Sequence, residues 1–115
     1  MENQFVKSGA LDWKALSERD AEGVYIKPLL YDEAEGRSPS FLLKFDPGAT
    51  YPLHSHPAGE EILVLEGEVK VGKDLLKKGD YLYTAPGNLH RVSCKIGCEL
   101  FLRVPEQVVI IEPRG

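Results

Sequence analysis

The chain of 115 residues has room for one domain, and its 43% hydrophobic and 28% charged residues are typical of globular proteins. Its 14 basic residues are outnumbered by 18 acidic ones, so the formal charge of -4 gives no positive field for nucleic acid. Its apolar runs are far shorter than the ~20 residues that span a bilayer, and no signal peptide is recognisable. We therefore predict a cytoplasmic protein that binds neither nucleic acid nor membrane.

Short strands are predicted along most of the chain, because 11 glycines and 8 prolines punctuate it with turns. The apolar residues of Ala10–Asp20 are too irregularly spaced for an amphipathic helix, so this region is predicted to be a loop or one helical turn. The predicted strands are, in chain order, Val24–Leu30, Ser40–Phe45, Glu61–Gly72 with a break near Gly67, Leu75–Lys77, Asp80–Thr84, His90–Cys94, Glu99–Val104 and Val108–Ile111.

This strand pattern predicts an all-β protein. Strands of this number must close into a barrel or a two-sheet jelly roll to protect their edges, and such a barrel holds one small site. We expect a single domain over residues 1–115, with a barrel core at about 23–111 and an N-terminal arm at 1–22. Terminal strands Val24–Leu30 and Val108–Ile111 leave edges that a second copy can cover, so a homodimer is predicted.

The two cysteines, Cys94 and Cys98, are too few for a disulfide framework, which favours a reducing compartment. A redox or metal role would require them to meet across the intervening turn. We predict instead two small buried hydrophobes at strand ends. Tyr51, Tyr81 and Tyr83 are candidates for the mouth of the barrel, although aromatic residues in strands more often pack in the core or across strands.

The three histidines are not scattered along the chain. His54 and His56 stand at i and i+2, so on an extended strand both imidazoles leave from the same face. A Pro-Ala-Gly turn follows, and Glu60 and Glu61 open the next apolar strand, which can return a carboxylate to that face. With His90, the set offers three imidazoles and one carboxylate, which are ligands for zinc, iron, manganese or nickel. The alternative is a pair of surface histidines on a wet strand.

Two segments resemble the motifs of the cupin superfamily. From Gly48 the chain reads GATYPLHSHPAGEEILVLEG, which resembles the first cupin motif, and from Gly79 it reads GDYLYTAPGNLH, which resembles the second. The second motif departs from the usual pattern, because Ala85 precedes Pro86 and Cys94 stands where asparagine is frequent. The resemblance implies a single cupin barrel, a double-stranded β-helix of the jelly-roll type.

Trp13 and the segments GVYIKPL (23–29) and GEEILVLEG (59–67) extend the resemblance to the ChrR-type cupin domain. That domain ends an anti-sigma factor and holds zinc through three histidines and a glutamate. Carried over residue by residue, the resemblance implies one divalent metal ion per chain; the ligands it assigns are His54, His56, Glu60 and His90.

Two properties of similar cupins are not expected here. Only residues 1–22 precede the first long predicted strand, where the anti-sigma factor has a helical domain that grips its sigma factor. We therefore do not predict sigma-factor binding. Standalone cupins of the acetylacetone dioxygenase type are also similar, but they bind ferrous iron through three histidines only. An intact Glu60 counts against that subtype.

The choice between Glu60 and Glu61 depends on the path of the strand. The motif spacing selects Glu60, whereas the alternation in Glu66–Val71, with odd positions inward, points Glu61 at the core when extended backwards. Gly67 sits where a bulge or tight bend can reset the alternation. We therefore predict Glu60 as the ligand.

Two functions remain, because the chain has no phosphate-binding loop, nucleophile elbow or dinucleotide fingerprint, and no residue is assigned a catalytic role. In the first, a metal ion with open positions activates dioxygen or polarises a small oxygen-rich molecule in the barrel. In the second, zinc closed by four protein ligands has a sensing or structural role. We favour the enzyme, because a cupin without a partner domain has no domain to which a sensing site could signal.

Overall fold

The computed structural model describes residues 1–18 and 20–111, so residue 19 and the end of the predicted domain, 112–115, lie outside the described residues. In the described ranges, a 3-10 turn at Ser8–Ala10 is followed by β-strands alone. The strands are β1 (Lys14–Ala15), β2 (Val24–Pro28), β3 (Ser40–Phe45), β4 (Thr50–Ser55), β5 (Glu60–Val71), β6 (Asp74–Lys77), β7 (Tyr81–Thr84), β8 (Leu89–Ser93), β9 (Cys98–Arg103) and β10 (Val109–Ile110). The predicted all-β class is confirmed, and no helix in these ranges is long and apolar enough to cross a membrane.

The strands form one curled antiparallel sheet with the order β1-β2-β3-β9-β5-β8-β4-β10. The long strand β5 belongs to both halves of the barrel, because its first part pairs with β7 and β9 and its last part with β6 and β8. The core lies inside the curl. It contains buried side chains from both halves, among them Val24, Leu43, Phe45, Ile62, Val64, Val69, Val71, Leu100 and Leu102.

The predicted break of the strand near Gly67 is wrong, because β5 runs without interruption from Glu60 to Val71. Even-numbered side chains from Glu60 to Val64 are buried, whereas Val69 and Val71 are buried in the last part of the strand. The register against β9 shifts directly after Val64, which is a β-bulge. One extra residue reverses which side chains face inward, and the strand continues through the bulge.

Strand β4 (Thr50–Ser55) is absent from the predicted strands, although His54 and His56 share a face only on an extended chain. Pro52 explains the omission, because proline has no N–H for a ladder bond and reads as a breaker. In the structure Pro52 falls at the irregularity of the β4–β8 register between Tyr51 and His54. The other predicted strands are present; Ser40–Phe45 has the predicted bounds, and the ends of the others differ by at most two residues.

The prediction for Ala10–Asp20 is wrong in part, because this region contains a short strand, β1, paired with β2, and the 3-10 turn comes earlier. Trp13 anchors the region. The Nζ atoms of Lys27 and Lys44 lie 4.7 and 5.1 Å from the centre of its indole ring. Cations over an aromatic face stabilise such contacts by about 0.5–2 kcal/mol. The N-terminal arm is thereby fixed against β2 and β3.

Candidate metal centre

The four predicted metal ligands come from neighbouring strands on the inside of the barrel. His54 lies on β4 and pairs in register with His90 on β8. His56 follows the end of β4, and Glu60 begins β5 after the tight turn between them. All four side chains are buried, with at most 8% of their surface exposed. Surface histidines on a wet strand are therefore not what the structure shows.

The side chains of these residues converge on one point. One donor atom from each of His54, His56, Glu60 and His90 lies within 4.8 Å of the other three. Nε2 of His56 is 3.1 Å from Oε2 of Glu60, and Nε2 of His90 is 3.4 Å from Oε1. The structure thus brings together the complete set that the sequence predicts.

The hydrogen bonds of the group leave nitrogen and oxygen atoms at its centre that can bind a metal ion. Nδ1 of His54 donates to the carbonyl oxygen of Pro52 at 2.6 Å, so the lone pair of that ring is on Nε2. Within the described residues, Nε2 of His56, Nε2 of His90 and Oε1 of Glu60 are buried and have no partner of good hydrogen-bond geometry. Buried polar atoms without partners are costly, and a metal ion supplies the partner they lack. The residues therefore fit a divalent ion.

The protonation states also suit a metal ion. Burial alone would raise the pKa of Glu60, but the contacts with His56 and His90 outweigh burial and lower this pKa to about 2. Burial lowers the pKa of His54 to about 4, although its hydrogen bond to the Pro52 carbonyl opposes that shift. At neutral pH the group therefore contains an ionised carboxylate and a neutral imidazole, the forms that bind metals.

Glu61 points away from the group. Its carboxylate is half-buried on the outer side of β5, where Oε1 accepts a hydrogen bond of 2.7 Å from the hydroxyl of Tyr81. The bulge after Val64 is the reason, because it places the even positions of the first part of β5 inward. The carboxylate beside the histidines is that of Glu60, as the motif spacing predicts.

A cavity of about 400 Å³ opens onto the group from inside the barrel. His54, His56 and Glu60 form part of its wall, whereas His90 completes the group from the side of β8 and also borders an outer groove. The rest of the wall is mainly apolar and includes Ile26, Phe41, Leu43, Ile62, Leu100 and Leu102. A cavity of this size accommodates a small organic molecule.

Sequence reasoning missed two charged residues of this cavity. Glu18 reaches it from the N-terminal arm and Arg37 from the loop before β3. Nη1 of Arg37 donates to the carbonyl oxygens of Val104 and Pro105 at 2.8 and 3.0 Å. No spacing or motif connects either residue to the histidines, so only the folded chain reveals them.

The three candidate tyrosines differ in position. Tyr51 lines the cavity, packs edge-on against His54 at 4.9 Å between ring centres, and donates its hydroxyl to Oε1 of Glu18 at 3.1 Å. Burial, then the neighbouring Glu18 carboxylate, raises the pKa of Tyr51, so its hydroxyl stays protonated. Tyr81 and Tyr83 are 57% and 55% exposed on the outside and do not line the cavity.

The two cysteines are buried and free, as predicted. Cys94 follows β8 and its Sγ donates to the carbonyl oxygen of Glu68 at 3.3 Å. Cys98 begins β9, and burial raises the pKa of its thiol. The Cys94 thiol hydrogen-bonds to that of Cys98 and adds to the rise of its pKa, so the two cysteines meet across the turn, and both lie in the hydrophobic core. A buried, protonated thiol such as that of Cys98 is a poor nucleophile.

Comparisons with known proteins agree with this architecture. The fold is similar to that of an acetylacetone dioxygenase from Acinetobacter johnsonii, with a TM-score of 0.78 and 13% identity, over 96% of this chain and 75% of that chain. It is also similar to a chain in the complex of Rhodobacter sphaeroides SigE with the anti-sigma ChrR, with a TM-score of 0.66 and 21% identity, over 83% of this chain and 50% of that chain. At these identities the likeness shows the fold alone.

The sequence comparisons are more specific. The DNA damage-repair/toleration protein DRT102 of Arabidopsis thaliana is 34% identical over an alignment 70 residues long, which covers 55% of this chain and 22% of that protein. The chain therefore spans about a fifth of the length of this curated relative. Residues 1–107 match the family described as the ChrR Cupin-like domain. Because this match covers nearly the whole chain, the protein belongs to the ChrR cupin-like family and has the cupin fold.

Proposed function

We propose that this protein is a metal-dependent enzyme that acts on a small oxygen-rich molecule in the barrel. In this proposal His54, His56, Glu60 and His90 hold one divalent ion per chain. The observation that supports it is the apolar cavity of about 400 Å³ whose wall includes three of these four side chains. A molecule in that cavity would lie directly beside the ion.

The ligand set suits a catalytic ion. Iron, manganese and nickel usually take more than four ligands, so four protein donors leave room for water or a bidentate oxygen ligand. A bound ion would supply Lewis-acid polarisation of the ligand's oxygens or, in the case of iron, dioxygen activation. The protein's own contribution is to fix the imidazoles and the carboxylate. The apolar wall keeps bulk water away from the reacting molecule.

The second candidate is a closed zinc site with a sensing or structural role. The same four donors are enough for tetrahedral zinc, and the membership in the ChrR cupin-like family favours this possibility. A closed site needs no adjoining cavity, however. We favour the enzyme on that ground. The cytoplasmic location and the lack of nucleic-acid or membrane partners stay predictions from composition.

Metal reconstitution tests the proposed function. Apoprotein loaded separately with ferrous iron, manganese, nickel or zinc would be followed for oxygen uptake and substrate loss with diketones, flavonols and hydroxy-acids. We expect at least one metal form to convert at least one of these compounds, and a His54→Ala/His56→Ala variant treated in the same way to convert none. Inert forms throughout, together with tetrahedral zinc that carries no water, would replace the enzyme by the sensing or structural role.

We also propose a homodimer formed through the outer face of β3, β9, β5 and β7. Leu42, Phe101, Leu63 and Tyr81 lie side by side in register across these strands as an outer apolar row. Leu63 is 37% exposed and Tyr81 57% exposed. An apolar row of this kind on an outer face is typical of a surface that a partner covers.

Sedimentation velocity at micromolar concentration tests the dimer. We expect a dimer for the wild type and a monomer for Leu63→Glu, because a charge in the outer apolar row would be buried without a partner. Leu75→Glu is the matched control, since Leu75 is 55% exposed on β6 and outside that row. A monomeric wild type would contradict the dimer. A Leu63→Glu variant that still sediments as a dimer, as the control does, would contradict this interface.

A further inference from the structure

The cavity contains a second carboxylate that is separate from the metal ligands. Glu18 lies at the end of the N-terminal arm, and its side chain forms part of the same wall as His54 and His56. Among the described residues, it does not belong to the group of donor atoms that converge within 4.8 Å. Its role is therefore not that of a ligand in the set described above.

Tyr51 holds this carboxylate near the metal centre. The tyrosine ring packs against His54, and its hydroxyl donates to Oε1 of Glu18 at 3.1 Å. One aromatic side chain thus separates Glu18 from a metal ligand. This is the one hydrogen bond to the Glu18 carboxylate among the described residues, so Oε2 has no protein partner there. An oriented carboxylate with one oxygen available to a bound molecule is the arrangement of a general base.

The charges of the cavity fit the same role. Apart from the metal group, the charged side chains of its described wall are Glu18 and Arg37. The guanidinium of Arg37 has no atom that can accept a proton, and it donates hydrogen bonds to backbone carbonyls. Glu18 is thus the acidic side chain of the wall that is free to accept a proton from a bound molecule.

We propose that Glu18 is the general base of this cavity and that the substrates are ketones with an acidic C–H bond next to the carbonyl and a second oxygen nearby. The inference rests on the proposed function, since the two oxygens would face the ion. In the step, the C–H proton moves to a carboxylate oxygen of Glu18. The electron pair of the C–H bond forms the C=C bond of an enolate, and the π pair of the carbonyl moves onto its oxygen. The proton on Glu18 exchanges with solvent, and Glu18 then returns a proton to the same carbon, which restores the ketone and the carboxylate. Tyr51 is a positioning residue for this step.

Hydrogen exchange tests the role without requiring product formation. Zinc-loaded protein would be mixed with an aromatic α-hydroxyketone in D₂O, and deuterium incorporation at the C–H next to the carbonyl would be followed by NMR. Metal content and the Kd of the ketone would be measured on the same samples. We expect Glu18→Gln to slow exchange on the order of 10²-fold, which is the usual contribution of a general base. Metal content and Kd should change by less than about threefold, since Glu18 is not in the ligand group.

Two further variants separate chemistry from structure. Glu22→Gln is the matched control, because Glu22 is exposed and is absent from the cavity wall. It should exchange at the wild-type rate. Glu18→Ala should also be slow and should regain exchange on addition of formate, which can enter the space left by the carboxylate. A merely structural role for Glu18 would not respond to formate.

The outcomes are distinguishable. Equal exchange rates in the wild type and in Glu18→Gln would overturn the role of Glu18. The same holds if the ketone binds to the wild type but exchanges no faster than it does without protein. Absence of ketone binding in the wild type would overturn the substrate class proposed here, whereas absence of bound metal would overturn the proposed function.

Discussion

Replacing both His54 and His56 by alanine should abolish the bound metal and lower the thermal stability of the metal-loaded protein. The two imidazoles are half of the convergent donor set, and both are buried. Binding to the native state alone stabilises a protein by about 4 kcal/mol when the free metal is 1,000 times Kd. At roughly 4 °C per kcal/mol for a domain of this size, loss of binding should lower the Tm by about 15 °C.

Metal content by elemental analysis and melting curves with and without a chelator measure this effect. With chelator present, the Tm of the wild type should fall toward that of the double variant. An unchanged metal content in the double variant would show that His54 and His56 do not bind the metal. Glu60→Ala and Glu61→Ala form a matched pair beside it, because only the first carboxylate contacts His56 and His90. Glu60→Ala should lose more affinity, and the opposite ranking would transfer the role to Glu61.

Gly67→Ala should be the most destabilising small substitution in β5. Gly67 has a φ of +74°, which side chains with a Cβ rarely adopt, and an added Cβ would overlap the carbonyl oxygen of Gly97. The carbonyl oxygen belongs to the backbone, so it cannot move away by a change of rotamer. Left-handed strain of about 1–2 kcal/mol and a steric cost of about 1–3 kcal/mol give an expected loss of about 2–5 kcal/mol.

Urea unfolding of Gly67→Ala beside Gly36→Ala measures the steric part. Gly36 has a similar φ of +65°, but an added Cβ there would meet no atom within 4 Å. The control therefore carries the backbone strain without the overlap. We expect Gly67→Ala to lower the free energy of unfolding clearly more than Gly36→Ala does. Equal losses would contradict the close approach of Gly67 in β5 to the backbone of Gly97.

Strand geometry predicts only part of the candidate metal site from the sequence, namely that His54 and His56 share one face; the choice of Glu60 and the addition of His90 come from the resemblance to the two cupin motifs. His54 and His56 leave one face of an extended chain, and the following turn reverses the chain so that Glu60 can return to them. The side of β5 that carries Glu60 is harder to predict. The later residues Val69 and Val71 follow the opposite alternation, and only the bulge after Val64 reconciles the two.

Other features depend on contacts between distant parts of the chain. Local propensity cannot show that β1 forms, because its pairing depends on β2 and its anchoring on Trp13 with Lys27 and Lys44. The same holds for Glu18, which enters the cavity because the anchored arm ends there. A sequence pattern records periodicity within a segment, whereas these residues are placed by tertiary packing.

Elemental analysis combined with X-ray absorption spectroscopy, on protein purified without added metal, tests the metal centre most directly. We expect one divalent ion per chain, bound by imidazole nitrogens and a carboxylate oxygen from His54, His56, Glu60 and His90. At least one further oxygen from water should complete the shell. A protein that holds no ion, or that holds four-coordinate zinc with no water oxygen, would contradict a catalytic metal centre in this barrel.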